Sequence, residues 1–77
     1  SNISLVYRVD PVYFTKHGYS NPVVIFMYNG VEYPVSEYDV NKTSGLYEFK
    51  FSGLAPHQMK DKVSAVLCAE YDGEHRR

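Results

Sequence analysis

One cysteine, no tryptophan, no long apolar run and no excess of positive charge: these scarcities bound the chain before any motif does. A single Cys68 forms no internal disulfide and cannot supply a structural zinc site, which takes several Cys and His ligands at set spacings. This argues against a disulfide-stapled secreted module, although bacterial surface proteins that use few cysteines remain compatible with it. The longest apolar stretch, "PVVIFMY" at residues 22–28, is strand-sized. It falls well short of the ~20 residues a membrane-spanning helix needs, so no membrane insertion is expected. No signal-peptide pattern opens the chain, as holds for a mature or excised domain. Lys and Arg number eight against nine Asp and Glu, for a net charge of −1, and only Arg76 and Arg77 are adjacent. Polyanion binding needs clustered cations, so nucleic acid is not an expected partner. The five glycines stand singly at turns, and none belongs to a phosphate-cradling loop.

What remains is a globular composition, 44% hydrophobic and 22% charged, with eight tyrosines and four phenylalanines. Seventy-seven residues fit one domain, 1–77. A chain of this length buries only about 60% of its unfolded surface, so its stability margin is small. The opening Ser1-Asn2 matches what a cleaved expression tag leaves behind, and the segment reads as an excised or truncated module of a larger protein.

The dominant period is two. In "ISLVYRV", Ile3, Leu5, Tyr7 and Val9 share one face, and Asp10-Pro11 ends the strand. Val12–Phe14 form an apolar patch before "TKHGYSNP", which reads as a loop through Gly18, Ser20, Asn21 and Pro22. "VVIFMY" is apolar on both faces, as suits a strand covered on two sides. Asn29-Gly30 then marks a tight hairpin, because both residues tolerate positive φ. The returning "VEYPV" carries Pro34, which assigns it to a sheet edge. A polar loop follows, with a short strand around Tyr38–Val40, then the alternating "LYEFKF" and "KVSAVLCAEY". Pro56 suits the first position of a helical turn at 56–60. The reading is five to six strands and no helix beyond that turn: an all-β chain.

Four groups of residues invite a chemical reading. His57 and Asp61 are four apart, hence on one face of a helical turn, and Cys68 follows closely. Acid-base or cysteine-histidine catalysis would also need a pocket and a partner for the thiol. A free cysteine on an apolar strand face more simply serves as a small hydrophobe. His17, His57 and His75 show no metal-ligand spacing, so neither a metal nor another cofactor is expected. Asn2–Ser4 and Asn41–Thr43 match the permissive glycosylation pattern. Tyr13, Tyr19, Tyr28, Tyr33 and Tyr38 lie in or beside the first loop and hairpin. Facing outward together, they would stack on sugar rings or anchor a protein; singly, they are ordinary half-buried strand tyrosines.

Gly53, Ala55, Met59 and Asp61, followed by Val63, Ala65, Leu67, Asp72 and Gly73, carry a resemblance. Residues 46–73 resemble part of the immunoglobulin-like β-sandwich modules found in large secreted or surface proteins of Gram-positive, especially gut, bacteria. "ISLVYRVDP" is similar to their first strand and "VVIFMYNGVEY" to their central hairpin. The resemblance implies a small antiparallel immunoglobulin-like sandwich at the cell surface or outside the cell, with Met59 as a core plug and Asp61 as a turn-stabilising carboxylate. It implies a non-catalytic structural or adhesion module that meets neighbouring domains of its parent protein. A carbohydrate- or protein-binding domain using its tyrosines is the alternative, and a small enzyme using His57 and Cys68 the third reading. Such modules continue with a strand after Asp-Gly, where this sequence has "EHRR". The expectation is an open strand edge that pairs two copies, unless Pro34 or the charged terminus blunts it.

Overall fold

The computed structural model describes residues 3–54, 63–71 and 74–76. In chain order these form β1 (Ile3–Val9), α1 (Pro11–Lys16), β2 (Tyr19–Tyr28), β3 (Val31–Val35), β4 (Asp39–Val40), β5 (Tyr47–Leu54), β6 (Val63–Tyr71) and β7 (Glu74–Arg76). The strands make two antiparallel sheets, ordered β1-β5-β4 and β3-β2-β6-β7. The chain is a small all-β fold of the sandwich kind, as its period of two predicts.

Alternation decides what lies between the sheets. Val9 on β1 and Phe49 on β5 meet Val24 and Phe26 on β2 and Ala69 on β6, and Phe14 of α1 joins the same cluster. Leu5, Tyr7, Tyr47 and Phe51 extend this inner face on one sheet, and Val35, Ala65 and Leu67 on the other. Phe26 stacks on Phe51 with ring centroids 5.2 Å apart, and Tyr33 covers the same ring at 5.1 Å. Removing a buried phenylalanine of this kind costs about 3–5 kcal/mol, a large share of the stability of so small a domain.

The second face of β2 is also buried. Cys68 pairs with Val23, and Val66 with Ile25, on the side away from the inter-sheet cluster. Cys68 is 0% exposed and Ile25 8%, so the middle of the doubly apolar "VVIFMY" is buried on both sides, while Val23 and Met27 are half-buried. The hairpin is as read: Asn29 and Gly30 have φ of 52° and 76°, and Tyr28 pairs with Val31. Pro34 sits on β3, at the edge of its sheet.

Three expectations change, and a fourth falls where the structure is silent. The described residues form seven strands, because Glu74–Arg76, beyond the Asp72-Gly73 turn signal, pairs with Ala69–Tyr71. The helix lies at Pro11–Lys16, in a segment read as a patch and a loop. The expected turn at 56–60, with His57, Met59 and Asp61, lies outside the described residues. Strand β2 starts at Tyr19, inside the expected loop. It does so through an irregular register between Ser20 and Val23, where Asn21 adopts φ 51° and its amide bonds the Glu70 carboxylate on β6. That tertiary bond turns residues with loop chemistry into a bulged strand.

Candidate functional site

The site begins with Asp10. Its backbone is extended, and its carboxylate Oδ1 accepts a hydrogen bond from the Val12 N–H at 2.9 Å, capping α1. Pro11 opens the helix, where its missing N–H leaves no bond unmade. The helix ends after one and a half turns or so, by its ~3.6-residue period. Gly18, at φ +78°, returns its N–H to the Thr15 carbonyl at 3.0 Å and reverses the chain into β2. Phe14 then points inward and Tyr13 outward: Phe14 is 5% exposed and Tyr13 63%.

This helical turn stands at one end of a cleft of about 490 Å³. One wall is the end of β1 with Tyr7, Arg8, Val9 and Asp10; α1 contributes Tyr13 and Phe14. The other wall is Tyr19 of β2 with Leu67 and Ala69 of β6. A smaller cleft of about 200 Å³ continues along the same seam, between Leu5, Val6 and Tyr7 on one side and Val63, Ser64 and Ala65 on the other, with Phe26 at its base. The sandwich is therefore parted where β1 faces β6, and Tyr7 lines both openings.

Tyr13 and Tyr19, which line the larger cleft, are connected through His17. His17 lies 4.2 Å from Tyr13 and 6.4 Å from Tyr19, nearly parallel to the latter at 14°. Tyr19 in turn contacts Phe14 at 5.6 Å and Tyr71 at 5.8 Å. The His17 ring is held by its Nδ1, 2.9 Å from the Tyr13 carbonyl oxygen. The result is an aromatic platform with a cation and a carboxylate close by. Arg8 is oriented by a 3.0 Å ion pair from its Nε to Glu48, whose carboxylate also accepts from the Asn41 amide at 3.4 Å. Such an arrangement stacks on a ring and hydrogen-bonds groups around its rim.

The five tyrosines singled out from the sequence do not form one surface. Tyr13 and Tyr19 meet at the cleft. Tyr33 lies on Phe51, and Tyr28 ends β2 beside the hairpin. Tyr38 stacks on Tyr47 at 4.2 Å, at the mouth of a separate groove with Glu37, Asp39, Glu48 and Lys50. A hydrogen bond shared with Tyr47 holds the Tyr38 proton, with burial second, and raises its ionisation above the ordinary tyrosine value. Tyr7, Arg8, Asp10 and His17 were not expected at a site. The available signal was Asp10-Pro11 ahead of an apolar Val12–Phe14, a helix start with its cap in place.

The remaining candidates fall elsewhere. Cys68 is wholly buried on β6, and His57 lies outside the described residues. Among the described residues, no three His, Cys, Asp or Glu side chains converge as metal ligands would. Asn41 has both ends of its side chain engaged, its Oδ1 accepting from the Thr43 and Ser44 N–H groups at 2.9 and 3.0 Å and its amide donating to Glu48. No described helix is long and apolar enough to cross a membrane. No protein-family model, curated protein or solved structure matches the chain.

Proposed function

We propose that this chain is a non-catalytic adhesion module of the immunoglobulin-like kind, from a bacterial secreted or cell-surface protein, and that it contacts a carbohydrate through the cleft between β1, α1 and β6. The observation that carries the binding reading is the joined ring system of Tyr13, His17 and Tyr19 over a cleft flanked by Arg8 and Asp10. Sugar rings offer an apolar C–H face and an equator of hydroxyls. An exposed aromatic face beside a guanidinium and a carboxylate complements both.

The resemblance of residues 46–73 to surface modules supports the compartment, and the two-sheet architecture fits a module that joins others end to end. Isothermal titration against a panel of neutral and acidic oligosaccharides tests the reading. At least one sugar binds saturably, and Tyr13→Ala weakens it tenfold or more while leaving the melting temperature near that of the parent. Equal binding by the parent and Tyr13→Ala, or no saturable binding across the panel, overturns it.

A further inference from the structure

The edges of the two sheets are not alike. β3 carries Pro34 in the middle of its pairing with β2, β4 has two residues and β7 three. Short strands and prolines are the usual means by which a sheet edge is kept from pairing with another chain. β7 covers the outer side of β6 at Ala69–Tyr71, in a register from Tyr71↔Glu74 to Ala69↔Arg76, and Val63–Cys68 pair only with β2 among the described strands. β1 has neither device. It is seven residues long, contains no proline, glycine or lysine, and pairs only with β5 among the described strands. Its free edge is one lip of the parted seam described above.

We propose that β1 pairs with β1 of a second copy, antiparallel about a two-fold axis through Val6. Unpaired N–H and C=O groups in a row select extended backbone, and the sequence of β1 selects its own copy in one register. Only registers that pair odd with odd residues keep the inner faces continuous. Centring on Val6 does so and overlaps all seven residues: Ile3 opposite Val9, Ser4 opposite Arg8, Leu5 opposite Tyr7 and Val6 opposite itself. The inner Leu5 and Tyr7 then meet each other, and the outer positions meet Ser4, Val6 and Arg8 with no like charges opposed. Centring on Arg8 instead would set two guanidinium groups face to face, at a cost like-charged cross-strand pairs always carry. In the Val6 register the two arginines are about four residues apart along the ladder, roughly 13 Å at ~3.3 Å per residue. The joined sheet runs β4-β5-β1-β1-β5-β4, and the second β1 lies along the Tyr7–Val9 lip of each cleft, so pairing and sugar binding share β1 and are read separately, by sedimentation and by titration.

Sedimentation velocity across a wide concentration range, together with site-specific oxidation, tests this. The parent chain forms a dimer that grows with concentration, and Val6→Lys raises its dissociation constant at least tenfold. Val6→Cys places two thiols on opposed residues, where Cα atoms lie about 4.5–5.5 Å apart, and oxidises to a covalent dimer. Ser4→Cys sets its thiols about 13 Å apart along the ladder and does not. Val31→Cys, on the β3 edge and 49% exposed, is the control for collision. A monomer at all concentrations, a Val6→Lys chain that dimerises as the parent does, or Val6→Cys cross-linking no faster than Val31→Cys overturns the proposal. Should Val6→Lys lose its fold by circular dichroism, the cysteine series alone decides.

Discussion

Tyr38 lies across Tyr47, ring centroids 4.2 Å apart and planes 23° apart, and closes over the fully buried Phe49 at 5.1 Å. The two tyrosines come from the β3–β4 loop and from β5, and backbone pairing of Val40 with Tyr47 sets them side by side. Their shared hydrogen bond favours the protonated Tyr38 and raises its ionisation. A group whose folded value is raised stabilises the fold fully below its unfolded value. That contribution is lost as the pH climbs through the folded value, above the ordinary ~10. Tyr47→Phe removes the bond and brings Tyr38 back toward the ordinary value, as read by the pH dependence of the tyrosine ring carbons in NMR. A Tyr38 titration unchanged in Tyr47→Phe would assign the shift to another cause.

The cap at Asp10 couples stability to the cleft. Asp10→Ala leaves the Val12 N–H at the start of a six-residue helix unpaired and costs about 1 kcal/mol. In a domain of this size that lowers the melting temperature by about 4–8 °C. Because α1 carries Tyr13 and His17, the same change also loosens the ring platform. Asp10→Asn and Asp10→Ser keep an accepting oxygen and recover most of the loss. A melting temperature unmoved by Asp10→Ala would show that Phe14 alone holds the helix.

Cys68 tests the second buried face. Its side is lined by Val23 and Val66-bearing strands, and no water reaches it. Cys68→Ser inserts a hydroxyl into apolar surroundings and costs about 1–3 kcal/mol, against less for the similarly small Cys68→Ala. In the native state the thiol does not react with a disulfide reagent, and it reacts stoichiometrically on unfolding. Rapid native labelling would contradict the placement of Cys68.

Gly18 is the tightest turn in the site. At φ +78° it is strained for any other residue, and a Cβ there would meet the Tyr71 ring at 3.3 Å. Gly18→Ala therefore costs about 1 kcal/mol or more in thermal melts, whereas a loss no larger than that of Gly30→Ala, where φ is +76° and the space is open, would rule out the ring contact as a cause.

The fold was legible wherever one chemical pattern determined one local structure. Asn29-Gly30 needs no tertiary partner to turn, Pro34 cannot sit in a central strand, and Val63, Ala65, Leu67 and Ala69 alternate whatever they pack against. Strand β2 was half legible, because Ser20, Asn21 and Pro22 are loop residues until Glu70 supplies a bond from another strand. Helix α1 is too short for a period of 3.6 to show, so its only local signs are Asp10 and Pro11. The cleft was least legible. Tyr7, Tyr13, Tyr19 and Leu67 come from four elements, and only the parting of β1 from β6 brings them to one place. Five tyrosines counted along the chain thus resolve into two at the cleft and three spent on other contacts.

Sugar binding at the cleft beside Tyr13 and Tyr19 is read out by mapping a bound oligosaccharide on the amide spectrum of the ¹⁵N-labelled chain. Saturable shifts are expected at residues 7–19, 67–69 and 71 alone, and are lost in Tyr13→Ala. Shifts centred on Tyr33, Tyr38 and Lys50, or shifts that persist unchanged in Tyr13→Ala, would contradict it.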